Sequence, residues 1–222
     1  MIKAVLFDLD GTLLNRDATV ASFIAEQYER LRPSLGHIPK VLYRERFIEL
    51  DQRGYVWKDK VYRQLIQEFE IEQVTMESLL EDYLDHFRFY CVPFEGLETL
   101  LESLKAQGLK LGIISNGKHP FQMGNIDALG IAHHMDAILI SESENLRKPD
   151  PEIFCRALGR LGVDAAESIF VGDHPVNDID AAQAIGMFGV WKPSSTLDEA
   201  PLANAQIVKL DELNRIIETL NA

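Results

Sequence analysis

The sequence is short of cysteine, of basic residues and of long apolar runs. Its 22 Lys and Arg residues are outnumbered by 35 Asp and Glu residues, which leaves a net charge of −13 and argues against binding to a nucleic acid polymer or an anionic membrane. No segment reaches the roughly 20 apolar residues of a membrane-spanning helix, and the short apolar run near Met1 is followed at once by acids, unlike a signal peptide. We therefore expect a cytoplasmic protein with neither nucleic acid nor membrane among its partners.

The two cysteines, Cys91 and Cys155, form no C-x-x-C pair and stand in apolar stretches of the sequence. Such a pair of separated cysteines is typical of buried, reduced thiols in a reducing compartment rather than of a disulfide framework or a metal site.

The composition that is present, 46% hydrophobic and 26% charged, is typical of a globular protein with a full core. From Gly96 onward, apolar strand-like runs alternate with helical periodicity, and the last of these helices is predicted to begin at Asp178. Strands are predicted at residues 109–115, 137–140, 168–171 and 188–191. This alternation predicts an α/β fold with a doubly wound, Rossmann-like parallel sheet and helices on both of its faces.

Residues 16–92 depart from the alternation, because helical patterns dominate there and no convincing strand is visible. Helices are predicted at residues 18–31, 40–51, 59–69 and 76–89. We therefore predict a core made of residues 1–15 and 93–222, with a helical domain of residues 16–92 inserted after the first strand.

Polar side chains follow the apolar strands of the predicted sheet at four places. Asp8 and Asp10 come directly after the run Val5-Leu6-Phe7. The other three clusters are Ser115-Asn116-Gly117, Lys148 in the loop after residues 138–140, and Asp173 with Asp178 after residues 169–172. Because ligands bind beyond the carboxyl ends of the strands in an open parallel sheet, we expect all four clusters at one edge.

The acids in these clusters predict a divalent cation. Asp8, Asp10 and Asp173 are oxygen donors, which a hard cation prefers, and Mg²⁺ is the best match because it takes a few carboxylates together with substrate phosphate. A cation also solves an electrostatic problem, since two like charges 4 Å apart repel by about 4 kcal/mol at an effective dielectric constant of 20.

The remaining polar residues predict a phosphate ligand. Lys148 supplies a compact positive charge, Ser115 supplies a hydroxyl, and the amides of Asn116 and Gly117 could face an anion as a small nest. With a phosphate in place, one acid can attack phosphorus to form an aspartyl phosphate, while the other protonates the leaving oxygen and later activates water.

With these motifs the sequence resembles the haloacid dehalogenase-like (HAD) phosphohydrolases. Asp8-Leu9-Asp10-Gly11-Thr12 is similar to the first motif of that family, Ser115 to the second, and Lys148-Pro149 to the third. Gly172-Asp173 together with Asn177-Asp178 is similar to the fourth. All four motifs occur in order, so the resemblance covers essentially the whole chain.

The resemblance implies a role for each acid. Asp8 would be the nucleophile and Asp10 the general acid and base. The metal would be held by the Asp8 carboxylate, the Asp10 backbone carbonyl and Asp173, with Asp178 as a supporting residue behind these ligands. The insert at residues 16–92 is similar to the helical cap that closes over small soluble substrates in this family.

The expected function is that of a Mg²⁺-dependent phosphatase whose partner is a small phosphorylated metabolite, for example a nucleoside monophosphate. The second and third motifs are most similar to those of the nucleotidase and phosphoglycolate phosphatase branches. A phosphoglycolate phosphatase, a phosphomutase on the same scaffold and a non-catalytic phosphate-binding regulatory protein remain alternatives, and the chain is expected to be a monomer or a homodimer.

Several residues keep two interpretations. Asp10 favours phosphoryl transfer over dehalogenation, but Lys58 and Lys60 in the insert leave open the Schiff-base chemistry of phosphonate-cleaving relatives. Asp178 is either a support for the metal site or a plain helix cap. His119 and His174 follow the second and fourth clusters and are either pocket residues or ordinary loop histidines, while His133-His134 is expected to be a solvated turn.

Overall fold

The computed structural model describes residues 1–193 and 202–222, and the chain divides into two structural units. The first unit consists of Met1–Asn15 with Pro93–Ala222, and the second consists of Arg16–Val92. Within the described ranges, no helix is both long enough and apolar enough to cross a membrane.

The first unit is built on a six-stranded sheet in which every strand runs parallel to its neighbours. The strands are β1 (Ala4–Phe7), β2 (Lys110–Ser115), β3 (Ala137–Ile140), β4 (Ser168–Gly172), β5 (Phe188–Trp191) and β6 (Ala205–Gln206). They lie in the order β3-β2-β1-β4-β5-β6. The chain thus builds outward from β1 on one side and then crosses to the other side at β4, which confirms the predicted doubly wound α/β fold.

The helices account for most of the remaining described residues. In chain order they are α1 (Arg16–Arg30), α2 (Arg32–Leu35), α3 (Lys40–Asp51), α4 (Lys58–Glu68), α5 (Met76–His86), α6 (Leu97–Ala106), α7 (His119–Ala128), α8 (Ser141–Glu144), α9 (Pro151–Leu161), α10 (Ala181–Ala184) and α11 (Glu212–Asn221).

Strand β1 lies at the centre of the sheet, and its position determines where the first acid emerges. All four of its residues are buried, as an apolar run covered on both faces should be. Phe7 is in register with Ile113 of β2 and Val171 of β4, and the N–H of Asp8 donates to the Val171 carbonyl at 2.9 Å. Asp8 therefore leaves the sheet at the switch point between β1 and β4, where such folds bind ligands.

Helix α9 illustrates how local sequence signals and core packing agree. The Asp150 side chain accepts the Glu152 N–H as an N-cap, Pro151 occupies the first turn, and Gly162 ends the helix in the left-handed region at φ 63°, as expected from its missing Cβ. On the buried face of the helix, the Phe154 ring packs edge-to-face on Phe170 of β4 with centroids 5.0 Å apart.

The second unit packs its helices around buried aromatic side chains. They are Phe23, Tyr28, Tyr43, Phe47, Tyr62, Tyr83 and Phe87. The rings of Phe23 and Tyr83 meet edge-to-face at 5.2 Å, a geometry that aromatic pairs favour. Helix α5 begins at a reciprocal capping box between Thr75 and Ser78, which fixes its first turn.

The segment after β4 differs from the prediction of a helix beginning at Asp178. A π-helical turn, Pro175–Asp180, precedes α10, and its N-cap is His174, whose Nδ1 lies 3.1 Å from the Val176 and Asn177 nitrogens. Asp178 lies inside this turn, so the alternative that it begins and caps the helix does not hold. Proline is tolerated in a first helical turn because the N–H that it lacks would have no partner there. The helical segment can therefore begin at Pro175, before the predicted start at Asp178.

One element pair was not predicted and one expectation needs correction. Strand β6 and helix α11 follow β5, and Leu213 and Ile217 of α11 are buried at i, i+4 spacing, a helical signal. The cysteines are not buried: Cys91 is half-buried and Cys155 is exposed. Cys155 lies on α9 directly after the inward-facing Phe154, so the helical turn carries it to the outer face.

Candidate active site

The four predicted clusters meet at the carboxyl edge of the sheet. Asp8 follows β1, Ser115 ends β2, Lys148 lies in the loop between α8 and α9, and Asp173 follows β4. Hydrogen bonds and short oxygen–oxygen separations link the side chains of these segments. Topology alone places the segments side by side, because parallel strands end at the same edge.

Lys148 is the centre of the buried part of the site. Its side chain is 3% exposed, and its Nζ donates to Asp8 Oδ1 at 2.6 Å and to Asp178 Oδ1 at 2.7 Å. The peptide bond to Pro149 is cis. One ammonium group is thus shared between two buried carboxylates.

The charges at this site do not balance. Burial raises the pKa of Asp8 well above its ordinary value, Lys148 works against this increase, and Asp178 and Asp173 add to it. Burial by itself would lower the pKa of Lys148, but Asp178 and Asp8 outweigh burial and raise it. Asp8 and Asp178 share the Lys148 ammonium, and Asp173 adds a third carboxylate beside them, so negative groups outnumber this ammonium and a divalent cation would offset the excess.

The carboxylates are close enough to share such a cation. Ligand oxygens of Asp8, Asp173 and Asp178 all lie within 4.8 Å of one another. Both carboxylate oxygens of Asp178 already accept hydrogen bonds: Oδ1 from Lys148 Nζ, and Oδ2 from the backbone N–H of His174 at 2.9 Å. A Cβ at Gly172 would overlap the Asp178 side chain, so only glycine lets Asp178 approach the end of β4 so closely. The donor set therefore fits a hard cation at Asp8 and Asp173, with Asp178 as a support.

Asp10 occupies a tight turn beside the nucleophile candidate. It is half-buried, and Gly11 after it adopts φ 88°, a conformation that suits glycine. The N–H of Gly11 donates to the Leu14 carbonyl at 2.9 Å, and Thr12 Oγ1 lies 3.4 Å from Asp8 Oδ2. Asp8 and Asp10 thus differ in setting, the first buried and the second closer to solvent.

The second cluster is arranged differently from the expectation for an anion nest. The Asn116 side chain bonds the backbone of Lys148 in both directions, with Nδ2 to the carbonyl and Oδ1 from the N–H, each at 2.9 Å. The Gly117 N–H donates to Ser141 Oγ at 2.9 Å rather than facing an anion, which corrects its predicted role. The Asn116 side chain therefore fixes the backbone of Lys148. The two residues can meet because the loops that carry them follow the neighbouring strands β2 and β3.

Ser115 is buried, with 1% exposure, and its Oγ accepts from Gln122 Nε2 at 2.7 Å. Because the hydroxyl oxygen is used as an acceptor, its own proton remains to donate to an anion.

Three further residues lie at this edge that were not predicted from the sequence. Gln122 and Asn125 lie within α7, and a polar residue inside a helix carries no sequence signal of a site. Lys192 directly follows β5 and had the same signal as the other clusters. Its Nζ lies 3.3 Å from the Gly11 carbonyl and 3.1 Å from the Phe94 ring centroid, and burial lowers the pKa of Lys192 to about 8 against the opposing effect of Asp173.

The histidines have ordinary structural contacts. The His174 side chain caps the turn after β4, and the backbone N–H of His119 donates to Glu142 Oε2 at 2.8 Å. His134 Nε2 lies 2.9 Å from Glu98 Oε1, and the rings of His133 and His134 are tilted by 39° with their centroids 3.9 Å apart.

Known proteins resemble this chain in sequence and in fold over most of its length. A family model described as haloacid dehalogenase-like hydrolase matches residues 5–191. A glyceraldehyde 3-phosphate phosphatase of Methanopyrus kandleri is 32% identical over 86% of this chain and 83% of its own length, and a phosphoglycolate phosphatase of Thiobacillus denitrificans is 31% identical over 83% and 80%. The crystal structure of a HAD phosphatase from Thermococcus onnurineus matches with a TM-score of 0.68 and 30% identity, covering 97% of this chain and 98% of that one.

Proposed function

The chain belongs to the haloacid dehalogenase-like hydrolase family, and from that premise we propose how its residues hydrolyse a small phosphomonoester. The resemblance drawn from the four sequence motifs is confirmed, and the protein is a hydrolase that acts on phosphoric monoesters. The observation that carries the residue assignments is the buried contact of Lys148 with Asp8, beside the carboxylate of Asp173.

Asp8 acts as the nucleophile in this proposal. A carboxylate oxygen of Asp8 forms a bond to phosphorus as the ester P–O bond breaks, which yields an aspartyl phosphate and a leaving alcohol. Water then cleaves the aspartyl phosphate, releases inorganic phosphate and regenerates the Asp8 carboxylate. Support comes from the position of Asp8 at the switch point between β1 and β4.

Asp10 acts as the general acid and then as the general base. Its proton goes to the leaving oxygen when the ester bond breaks, and it later removes a proton from the attacking water. The half-buried setting of Asp10 leaves it open to exchange protons, whereas Asp8 is tied to Lys148.

The phosphate is held by residues from the second and third clusters. Lys148 offers its ammonium group and Ser115 offers its hydroxyl proton, both at the edge of the sheet. Asn116 contributes through its backbone N–H, because its side chain is engaged with the Lys148 backbone. These donors offset the negative charge of the transferring phosphoryl group.

We assign Mg²⁺ as the cofactor, held by the Asp8 carboxylate, the Asp10 backbone carbonyl and Asp173, with Asp178 supporting Lys148. When bound, a hard cation of this kind neutralises phosphate charge and favours the ionised form of nearby carboxylates. The excess negative charge around Lys148 and the oxygen-only donor set support this assignment.

The two units have different roles in the proposal. Residues 1–15 and 93–222 carry the chemistry, and residues 16–92 form a helical cap that selects the substrate. The Schiff-base alternative loses support at Lys58, whose Nζ is buried and ion-paired with Asp51, a residue that also pairs with Arg16 at 2.8 Å. An ammonium held by a buried carboxylate is disfavoured as an amine nucleophile.

The proposed substrate is a small phosphorylated metabolite such as a nucleoside monophosphate, and phosphoglycolate is the alternative that the Thiobacillus denitrificans relative favours. A cytoplasmic location and a monomeric or homodimeric state remain predictions from the sequence.

A phosphate-release screen over a metabolite panel with Mg²⁺, followed by acid quench and mass spectrometry, tests the proposal. We expect release from one class of phosphomonoester and a phosphoryl group trapped on the peptide that contains Asp8. Bisphosphate-dependent isomerisation without net release would instead identify a phosphomutase. Binding of phosphate esters without turnover would identify a regulatory protein, and a phosphoryl group trapped on another residue would overturn the assignment of Asp8.

A further inference from the structure

A buried side chain on α7 joins the acid/base candidate to the phosphate-binding cluster. Gln122 is 2% exposed, and its Nε2 lies 2.7 Å from Asp10 Oδ2 and 2.7 Å from Ser115 Oγ. An amide nitrogen carries two protons, so one Gln122 side chain can donate to both acceptors at once.

The orientation of the Gln122 amide is fixed from the other side. Asn125, which is fully buried, donates from Nδ2 to Gln122 Oε1 at 3.1 Å. Gln122 and Asn125 are three residues apart in α7, and i, i+3 neighbours share one face of a helix. A flipped amide would turn the Gln122 nitrogen toward the Asn125 amide nitrogen, leaving two donors face to face, so the contact with Asn125 keeps Nε2 directed at Asp10 and Ser115.

The backbone around Gln122 is shaped to admit it. A Cβ at Gly117 would lie 2.8 Å from Gln122 Cγ, closer than carbon atoms approach, so a residue with a side chain at position 117 would displace the glutamine. The N–H of Gln122 donates to the Lys118 carbonyl at 3.0 Å and anchors its helical turn. The Ser-Asn-Gly sequence of the second cluster thus leaves room for the amide that reaches Asp10.

We propose that Gln122, held by Asn125, is the positioning residue that orients the Asp10 carboxyl group for proton transfer to the leaving oxygen. The inference rests on the proposed function, in which Asp10 is the general acid. Gln122 donates to Oδ2 of Asp10, which restricts rotation of the carboxyl group. The same amide orients Ser115, so the proton donor and a phosphate donor are set by one side chain.

The test compares two leaving groups of similar shape on the purified full-length enzyme with Mg²⁺. The p-nitrophenolate of p-nitrophenyl phosphate leaves readily without a proton, whereas the phenolate of phenyl phosphate depends on a general acid. The variant Gln122→Met keeps the side-chain length but removes the donor. We expect its kcat/KM for phenyl phosphate to fall about tenfold more than its kcat/KM for p-nitrophenyl phosphate. This difference is smaller than the whole rate contribution of a general acid, because Asp10 itself is still present.

Three controls separate positioning from damage to the fold. Gln122→Glu keeps the size and the contact with Asn125 but places a second carboxylate beside Asp10 and the phosphate, so it should lower both rates and lower the phenyl phosphate rate more. Gln107→Met, at an exposed position, should change neither rate. On an Asp10→Asn background, Gln122→Met should no longer change the ratio of the two rates, because the group it orients is gone.

Equal losses on both esters in Gln122→Met and Gln122→Glu would overturn the positioning role and leave the proposed function intact. A selective loss that persists in the Asp10→Asn background would also overturn it. If the Asp8→Asn variant hydrolysed both esters as fast as the wild type, the proposed function itself would be overturned.

Discussion

The Nζ atom of Lys148 lies 2.6 Å from Oδ1 of Asp8 and joins residues that are 140 positions apart in the chain. The same atom lies 2.7 Å from Asp178 Oδ1. All three side chains are buried, so the two carboxylates hold this ammonium away from bulk water. The orientation of the proposed nucleophile therefore depends on a loop that reaches the site from beyond another strand.

Asp8→Asn should abolish phosphate release while leaving the fold intact. An amide has the size of the carboxyl group but is a poor nucleophile, so we expect kcat to fall by about a thousandfold or more. Lys148 keeps Asp178 as a partner, so the thermal midpoint should stay near that of the wild type. Phosphate release and a melting curve measure both effects, with Asp127→Asn at an exposed position as the matched control; substantial residual turnover would sink the assignment.

Lys148→Met should destabilise the first unit strongly. It leaves Asp8 and Asp178 buried without their shared ammonium, and breaking a buried ion pair from one side costs about 3–5 kcal/mol. Lys105 pairs with Asp136 at 2.9 Å with more than a third of each side chain exposed, so Lys105→Met should cost only about 0–1 kcal/mol. Denaturant unfolding in the presence of a chelator gives both values, and equal losses would contradict the proposed difference.

Mg²⁺ should stabilise the wild type through Asp173. A ligand that binds only the folded state adds about 2.7 kcal/mol to the free energy of unfolding at a hundredfold excess over its Kd, so the thermal midpoint should rise with Mg²⁺. Asp173→Asn should lose most of this shift, whereas Asp127→Asn should keep it. Chelation should also stop phosphate release and Mg²⁺ should restore it; full activity in chelator would rule the metal role out.

Lys192 should make stability increase with pH in the alkaline range. Burial lowers the pKa of Lys192 from 10.5 to about 8 in the folded protein, so between these values the unfolded chain binds more protons than the folded chain. The free energy of unfolding therefore rises with pH across this window, while below pH 8 the buried charge costs stability in full.

Lys192→Met isolates the effect of that one group. Unfolding measured in chelator at several values from about pH 7 to pH 10 should show the wild type gaining stability relative to the variant as pH increases. Parallel curves for the two proteins would show that Lys192 does not titrate in this window.

Much of the fold was predictable because the signals are periodic and local. The strand bounds Ala137–Ile140 and Phe188–Trp191 and the helix Lys40–Asp51 are as predicted, since short apolar runs and 3.6-residue patterns identify them. The π-helical turn after β4 was not predictable, because its N-cap is His174 and histidine is not among the usual N-cap residues.

The residues of the candidate site divide in the same way. Asp8, Ser115 and Asp173 could be named from the sequence because each stands at the carboxyl end of an apolar strand, and Lys148 because it lies in the connection after β3. The side-chain roles of Asn116 and Gln122 could not be predicted from the sequence. Each depends on hydrogen-bonded atoms about 3 Å apart that belong to segments distant in the chain.

The sequence by itself determined the doubly wound sheet and the edge at which its polar residues collect, because parallel strands connected by helices all end on one side. The tertiary structure alone decided which side chains touch there. In the folded chain the Lys148 ammonium donates to Asp8 and Asp178, and Gln122 donates to Asp10. Hydrogen bonds form or fail over a few tenths of an ångström, and only the packing of distant loops sets distances on that scale.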